Sequence, residues 1–467
     1  MSHIENLKRI VGEQNALDNE SDIRPYLTDW RGHHMGSTPL IVFPENSDLI
    51  QKIVFYCYKN NIRIVTQGGN TSLCGANIPF SDESQLEIVL NTSKLNKILE
   101  IDDSNQSMLV ESGCILKNIQ IEAESNGFLF PLSLSAEGSC QIGGNVSTNA
   151  GGINVLKYGM TRDQVMGLEV ILPDGSIFSD LKSLRKNNTG YDLKQLFIGA
   201  EGTLGIISKV SLKLYTRPRN TVTVLASSGS IENCIKLLKR SKSKFGCDIT
   251  AFEIMSNTCL KAIHNNLSKI NQPLGTDSNW QIIFEIINHH DDEISSFFEY
   301  ALSEGLVQDG VQAKNEKERE SLWLIRHSIS EAERISGKCI HHDISLPIRE
   351  IPHYLESISK SLDNIIKSSV IYTFGHLGDG NLHFTIGKPN DITEEEFLKY
   401  SAVIKETVYD AVESFGGSFS AEHGIGVNLL ESMEKYTDLA KINLLRKIKR
   451  LLDTKNIMNP NKVIKLD

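Results

Sequence analysis

Gly138-Ser-Cys-Gln-Ile-Gly-Gly-Asn-Val-Ser-Thr-Asn-Ala-Gly-Gly152 is a run of small residues that cannot fill a core by itself. Its backbone must closely approach something, because a residue without Cβ is what lets main chain come near a ligand or another segment. Two further stretches share this character. Gln67-Gly-Gly-Asn-Thr-Ser-Leu73 follows a strand predicted at Ile62–Val65, and Gly199-Ala-Glu-Gly-Thr-Leu-Gly-Ile-Ile207 leads into one predicted at Val210–Tyr215. Neither of the first two matches Gly-x-Gly-x-x-Gly set between a strand and the helix it opens. No helical pattern follows Ser72, and Pro79 comes soon after. A loop of consecutive N–H groups with Asn, Thr and Ser partners still cradles a pyrophosphate without a helix dipole. One such loop reads as a turn-rich surface. Two of them, with Glu201-Gly-Thr-Leu-Gly205, point to an extended nucleotide ligand.

The second half carries Phe374-Gly-His-Leu-Gly-Asp-Gly-Asn-Leu-His-Phe384 and, downstream, Glu422-His423-Gly424. Apolar runs at Val370–Phe374 and Leu382–Ile386 flank Asp379-Gly380, a type I′ hairpin signal. With those two residues as the loop, His376 opposes His383 across the strands, Cβ atoms ~5 Å apart. Asn381 then points to the same side as His383. One histidine on a hairpin reads as a surface residue. Two so paired, with a separate Glu-His, read as a site able to hold a divalent metal beside a base.

Bulk properties narrow the function. The 467 residues suit two or three domains, and 40% hydrophobic with 23% charged residues is a globular composition. A net charge of -10 argues against a nucleic-acid footprint. The N-terminus lacks the character of a signal or transit peptide, and no stretch approaches ~18 apolar residues, so a cytoplasmic protein without an integral membrane segment is expected. The eight cysteines are never closer than 12 positions, which removes iron–sulfur and structural zinc readings.

Along the chain, Leu49, Ile50, Ile53, Val54 and Cys57 recur at helical spacing behind a Ser47 cap. A second helix is expected at Ile115–Glu124, and a strand at Leu168–Leu172 meets the turn Pro173-Asp-Gly175. Arg217-Pro218-Arg219 breaks the pattern and places a boundary near 218. Beyond it, strands such as Gln281–Ile287 alternate with helices at Ile231–Ser243, Glu293–Leu302, Ile351–Leu362 and Glu394–Glu413, an α+β domain with an antiparallel sheet. A helix at Leu444–Leu452 follows. The expected domains are 1–218, 219–425 and a C-terminal segment 426–467.

At this point the chain resembles the flavin-dependent dehydrogenases with the vanillyl-alcohol-oxidase type of FAD domain, in the group holding D-lactate and D-2-hydroxyglutarate dehydrogenases. The stretches that carry the resemblance are Leu27-Thr-Asp-Trp-Arg-Gly32, Gln67–Thr71, Gly138–Asn145 with Thr148–Gly152, Gly199–Gly205, Phe374–Asn381 and Glu422–Gly424. The resemblance implies an α+β fold: a two-lobed FAD domain, a cap domain with an antiparallel sheet, and a C-terminal segment that returns to the FAD domain. It implies that FAD is bound by Gln67, Gly68, Gly69, Asn70, Thr71, Ser72, Pro131, Ser139, Ile142, Gly143, Gly144, Asn145, Thr148, Asn149, Gly151, Gly152, Glu201, Gly202, Ile206 and Asn459. The Leu27–Gly32 stretch favours the hydroxyglutarate type.

Oxidising a 2-hydroxy acid removes the hydroxyl proton and passes the Cα hydrogen to flavin as hydride. His423 as base beside a zinc or manganese ion held by His376, His383 and Glu422 would serve that chemistry. By resemblance, Arg326 grips the substrate carboxylate, Ser330 stands one helical turn further along the same face, and Asn381 joins the catalytic set. The 2-oxo acid would be the product, with an electron-transfer flavoprotein or quinone as acceptor and a homodimer as a compatible assembly. One position departs from the hydroxyglutarate pattern: His341 stands where a Lys is usual, so a permanent ammonium is replaced by an imidazole. D-lactate or another hydroxy acid, with O₂ as an alternative acceptor, stays open. A non-catalytic electron-relay subunit would have lost ligands or base, and this chain keeps them.

Overall fold

The computed structural model describes residues 2–80 and 85–466. They form two units: Met1–Gly152, Gly159–Arg217 and Glu422–Asp467 make the first, and Ile153–Tyr158 with Pro218–Ala421 the second.

The first unit holds a four-stranded sheet ordered Ala16–Leu17, Ile41–Val42, Glu87–Asn91, Arg63–Gln67, the last three strands parallel. Parallel neighbours need a crossover, and the helix Ser47–Asn60 supplies it. Ile50, Ile53, Val54 and Cys57 on its inner face are fully buried. Each aliphatic side chain so removed from water contributes roughly 1.5–3 kcal/mol. The helix cap is Asn46 and not Ser47. Asn46 accepts from the Leu49 amide at 2.9 Å, while Ser47, already helical, donates to the Glu169 carboxylate at 2.6 Å.

A five-stranded antiparallel sheet follows, ordered Ile98–Asp102, Ser107–Glu111, Ile206–Lys213, Val165–Ile171, Ile177–Asp180. The helix Leu116–Ser125 lays Leu116, Ile119 and Ala123 into the same core as Val110, Val170 and Leu212. The C-terminal helix is Leu439–Leu452, longer than expected because Asp438 caps it. The chain then adds to the edge of Arg63–Gln67: the Ile64 amide donates to Ile457 at 2.7 Å, and the Asn459 amide to Ile64 at 2.8 Å. Buried Lys449 uses all three donors there, on the Thr203 carbonyl (2.7 Å), the Asp453 carboxylate (2.6 Å) and the Met458 carbonyl (2.7 Å).

The second unit is built on a seven-stranded antiparallel sheet ordered Asp309–Gln312, Thr221–Ser228, Trp280–Ile287, Ile249–Ser256, Val370–Gly375, Asn381–Gly387, Cys339–Ser345. The helix expected at 394–413 is two, Glu394–Lys399, started by a capping box between Thr393 and Glu396, and Ser401–Ser414. No helix among the described residues is long and apolar enough to cross a membrane.

His342, on the last strand, is buried with Nδ1 on the Phe384 carbonyl at 3.0 Å and its ring edge-on to Tyr409. Burial pushes its pKa down to about 4, against the pull of that carbonyl. Between pH 6.5 and 4 the unfolded chain holds a proton that the native imidazole refuses, so stability falls as pH drops through that window, by up to about 3 kcal/mol. Urea midpoints measured at pH 7 and 4.5 are expected to differ less in His342→Leu than in the parent, and equal differences would exclude this residue as the cause.

Candidate active site

In the first unit the glycine-rich segments pack on one another. An added Cβ at Gly69 would overlap the Ser139 carbonyl oxygen, one at Gly152 (φ +108°) the Ser133 carbonyl, and one at Gly143 would stand 2.6 Å from Ser112 Cβ. Glycine is required there for contact between segments. Gly144 differs: a Cβ would meet nothing within 4 Å, so its bare face is available to a bound molecule. Gln67 is fully buried and donates to the Tyr26 and Asn77 carbonyls, and Asn70, left-handed at φ 56°, donates to Thr28, so both shape the 67–72 loop from within.

Several other residues expected at the cofactor make contacts that serve the scaffold. Ile142 and Ile206 lie in the cores, the Gly143 amide is spent on Ser112, and Thr148 bonds back to Gly144. Asn149 (φ 48°) accepts from the Arg162 amide, and Asn459 donates to Ala76 and Glu201. A short helix, Ile142–Thr148, opens inside the glycine run, where the sequence reading expected none. The residues fit an extended dinucleotide. Asn145 Oδ1 and Asn459 Oδ1 are buried acceptors with no partner among the described residues. A cavity of about 320 Å³ is lined by Gly113, Cys114, Ile115, Asn118 and Gln141.

Glu422–Val427 belongs to this unit and is held by those same segments. Glu422 accepts from the Gly152 amide at 3.0 Å, and Cys74 Sγ donates to the Gly424 carbonyl at 3.4 Å. The buried Glu201 carboxylate accepts from the Ile425 and Gly426 amides at 2.7 and 2.9 Å. Burial raises its pKa to about 7 despite those two donors.

In the second unit the hairpin forms with a different register. Phe374, and not His376, opposes His383, and the loop is His376–Gly380. Loop residues bond outside the hairpin: the Gly378 amide donates to Phe252 at 3.1 Å, Lys242 Nζ to the Gly378 carbonyl at 2.9 Å. Those bonds outweigh the two-residue turn that Asp379-Gly380 would favour. The imidazoles of His376 and His383 still stand with centroids 5.4 Å apart. Asp343, which the sequence reading passed over, is directly opposite His383, Oδ1 to Nδ1 3.6 Å, two donors that one cation could share. Asn381 Nδ2 donates to Asp343 Oδ1 and to the Ile344 carbonyl, both at 2.9 Å, and so holds that carboxylate.

Arg326 is buried on the helix Glu316–His327, its guanidinium 4.6 Å from the Phe374 ring and Nε on Glu253 at 2.8 Å. Ser330 does not continue that face: the helix ends at Ser328 and Ser330 is exposed at the start of Ile329–Ser336. Glu253 also takes His376 Nδ1 at 2.5 Å. Burial raises its pKa, but His376 and Arg326 outweigh it and hold the group at about 2. His341 Nδ1 stands 3.2 Å from the hydroxyl of Thr385, its cross-strand partner.

Residues 38–180 match an FAD binding domain, and 217–463 match the C-terminal domain of FAD linked oxidases. The chain belongs to the FAD-linked oxidase family. It is an FAD-dependent oxidoreductase, and the α+β class with a vanillyl-alcohol-oxidase-type FAD domain and a cap is its fold. It is 36% identical over 463 residues to the mitochondrial D-2-hydroxyglutarate dehydrogenase of Arabidopsis thaliana, covering 98% of this chain and 80% of that protein. The D-2-hydroxyglutarate dehydrogenase of Stutzerimonas stutzeri is 32% identical, with 98% of each chain covered. The solved structure of p-cresol methylhydroxylase with substrate bound shares the fold, with a TM-score of 0.76 at 16% identity over 98% of this FAD-linked oxidase and 96% of that chain.

Gly69→Ala is expected to lower the FAD-to-protein ratio severalfold, because the methyl forces the 67–72 loop off the Ser139 segment. Flavin absorbance of the purified variant checks this, and a ratio equal to the parent's would show the loop is not part of the cradle.

Proposed function

We propose that this FAD-linked oxidase oxidises a D-2-hydroxy acid, in the first instance D-2-hydroxyglutarate, to the 2-oxo acid. The observation that carries the reading is the Asp343–His383 pair, 3.6 Å apart on one face of the sheet, in a chain similar to D-2-hydroxyglutarate dehydrogenases over nearly its whole length. By the Glu422-His423-Gly424 motif, Glu422 is the third ligand. His376 is the fourth candidate. Imidazole and carboxylate donors suit zinc or manganese.

A divalent ion held there would supply Lewis acidity toward the hydroxyl oxygen, and FAD, when bound, would supply the acceptor for the Cα hydrogen and its electron pair. His423 takes the hydroxyl proton. Arg326 orients the substrate: with Nε committed to Glu253, its two Nη groups keep their donors for a carboxylate, gripped in bidentate fashion. Asn381 keeps Asp343 turned toward His383. The electrons leave to an electron-transfer flavoprotein or a quinone.

A second reading concerns the far end of the substrate. His341 and Thr385 face each other at 3.2 Å where hydroxyglutarate-type enzymes carry Lys at the first position. An imidazole and a hydroxyl in place of an ammonium favour a D-2-hydroxy acid with no second carboxylate, such as D-lactate.

Purified protein is expected to show a flavin spectrum that bleaches anaerobically with one or more of D-2-hydroxyglutarate, D-lactate and D-malate, and a spectrum unmoved by all three would end the reading. Chelation or His383→Ala should reduce turnover at least ~100-fold while FAD stays bound; full activity after either would remove the cation from the mechanism.

A further inference from the structure

Glu253 lies within the strand Ile249–Ser256 with no solvent exposure. An ionised carboxylate in such a place persists only when paired and hydrogen-bonded, and one cation would meet that need. Here the two oxygens are divided between residues from two different elements. Oε1 takes Nδ1 of His376, from the hairpin loop, at 2.5 Å, and Oε2 takes Nε of Arg326, from the helix Glu316–His327, at 2.8 Å. Both partners are candidate working groups, one meeting Glu253 through Nδ1 and the other through Nε.

We propose that Glu253 is the positioning residue of the site: one buried carboxylate sets the tautomer of His376 and the orientation of Arg326, and so registers the cation ligand against the substrate-carboxylate anchor. Accepting from Nδ1–H puts the lone pair of His376 on Nε2, the form in which an imidazole binds a metal ion. Taking Nε–H of Arg326 leaves the planar Nη pair as the fork, and the Phe374 ring, 4.6 Å from the guanidinium, limits its tilt. A shift of Glu253 would therefore displace both groups together. The inference rests on the dehydrogenase reading above for what His376 and Arg326 hold.

Glu253→Gln in the full-length holoprotein tests it. The amide oxygen can accept from one donor, while the NH₂ group meets the other head-on. Bound FAD should be unchanged, since no glycine-rich segment is touched. The dissociation constant for added zinc or manganese should rise about 10- to 100-fold, and KM for the hydroxy acid at least ~10-fold, with a smaller change in kcat at saturating metal. Glu253→Asp should recover part of both. A variant whose melting temperature drops while its folded fraction binds metal and substrate as the parent does would overturn the inference, leaving Glu253 a core ion pair only. Should the variant not fold, ¹⁵N-histidine spectra of the parent decide: His376 protonated at Nδ1 in the metal-free protein supports the inference, and protonation at Nε2 overturns it. A parent that neither bleaches with hydroxy acids nor binds metal sinks the dehydrogenase reading; a parent that does both, beside an unaltered Glu253→Gln, sinks this inference alone.

Discussion

A carboxylate withdrawn from water must find donors, and Glu201 finds them in the main chain, at the Ile425 and Gly426 amides. The first unit's chemistry is organised by that requirement. Gly424 sits at φ +81°, and a Cβ there would stand 2.7 Å from Glu201 Oε1, so the glycine after His423 is a condition of closeness and not of flexibility. With the Gly152 amide on Glu422 and Cys74 on Gly424, the Glu422–His423 pair is seated on the glycine-rich segments. Glycine-rich segments and candidate base are one arrangement in which a displaced loop would move both.

The second unit repeats the device with side chains in place of amides. Glu253 gathers His376 and Arg326, and Glu285, two strand positions away in the paired strand, gathers Arg319, Trp323 and Thr223. Buried carboxylates thus fix the helix Glu316–His327 at three points along its length, Arg319, Trp323 and Arg326. Such pairs add little net stability over apolar packing, but breaking one leaves an unpaired charge inside. What they provide is orientation.

How much of this was legible depends on whether the deciding force was local. Glycine content reported the close approaches at Gly69, Gly143 and Gly152 because nothing but the absence of Cβ permits them. Apolar content marked the strand expected at Gln281–Ile287, and period-3.6 spacing marked the inner face of Ser47–Asn60, since burial acts on each residue in turn. The hairpin was visible but its register was not: Gly378 and Lys242 hold the loop through Phe252 and the helix Ile231–Phe245, partners more than a hundred residues distant. Asp343 escaped for the same reason, because its role exists only where its strand lies beside His383. The helix Ile142–Thr148 was hidden by its own glycines, poor helix formers, of which Gly143 is kept for contact with Ser112. His3–Val11 announces itself with the Ser2–Glu5 capping box, a local signal that was present to be used.

The chain's return at Ile457–Asn459 has a consequence for biosynthesis. The strand Arg63–Gln67 receives its outer neighbour, and Glu201 the Asn459 amide that bonds its carbonyl, from residues near the C-terminus. A ribosome must therefore synthesise the second unit, which lies between them in sequence, before the first can close. Translation that stops before Ile457 would release a chain with an unsealed sheet edge, a species suited to capture by chaperones and proteases before it ever acquires its cofactor.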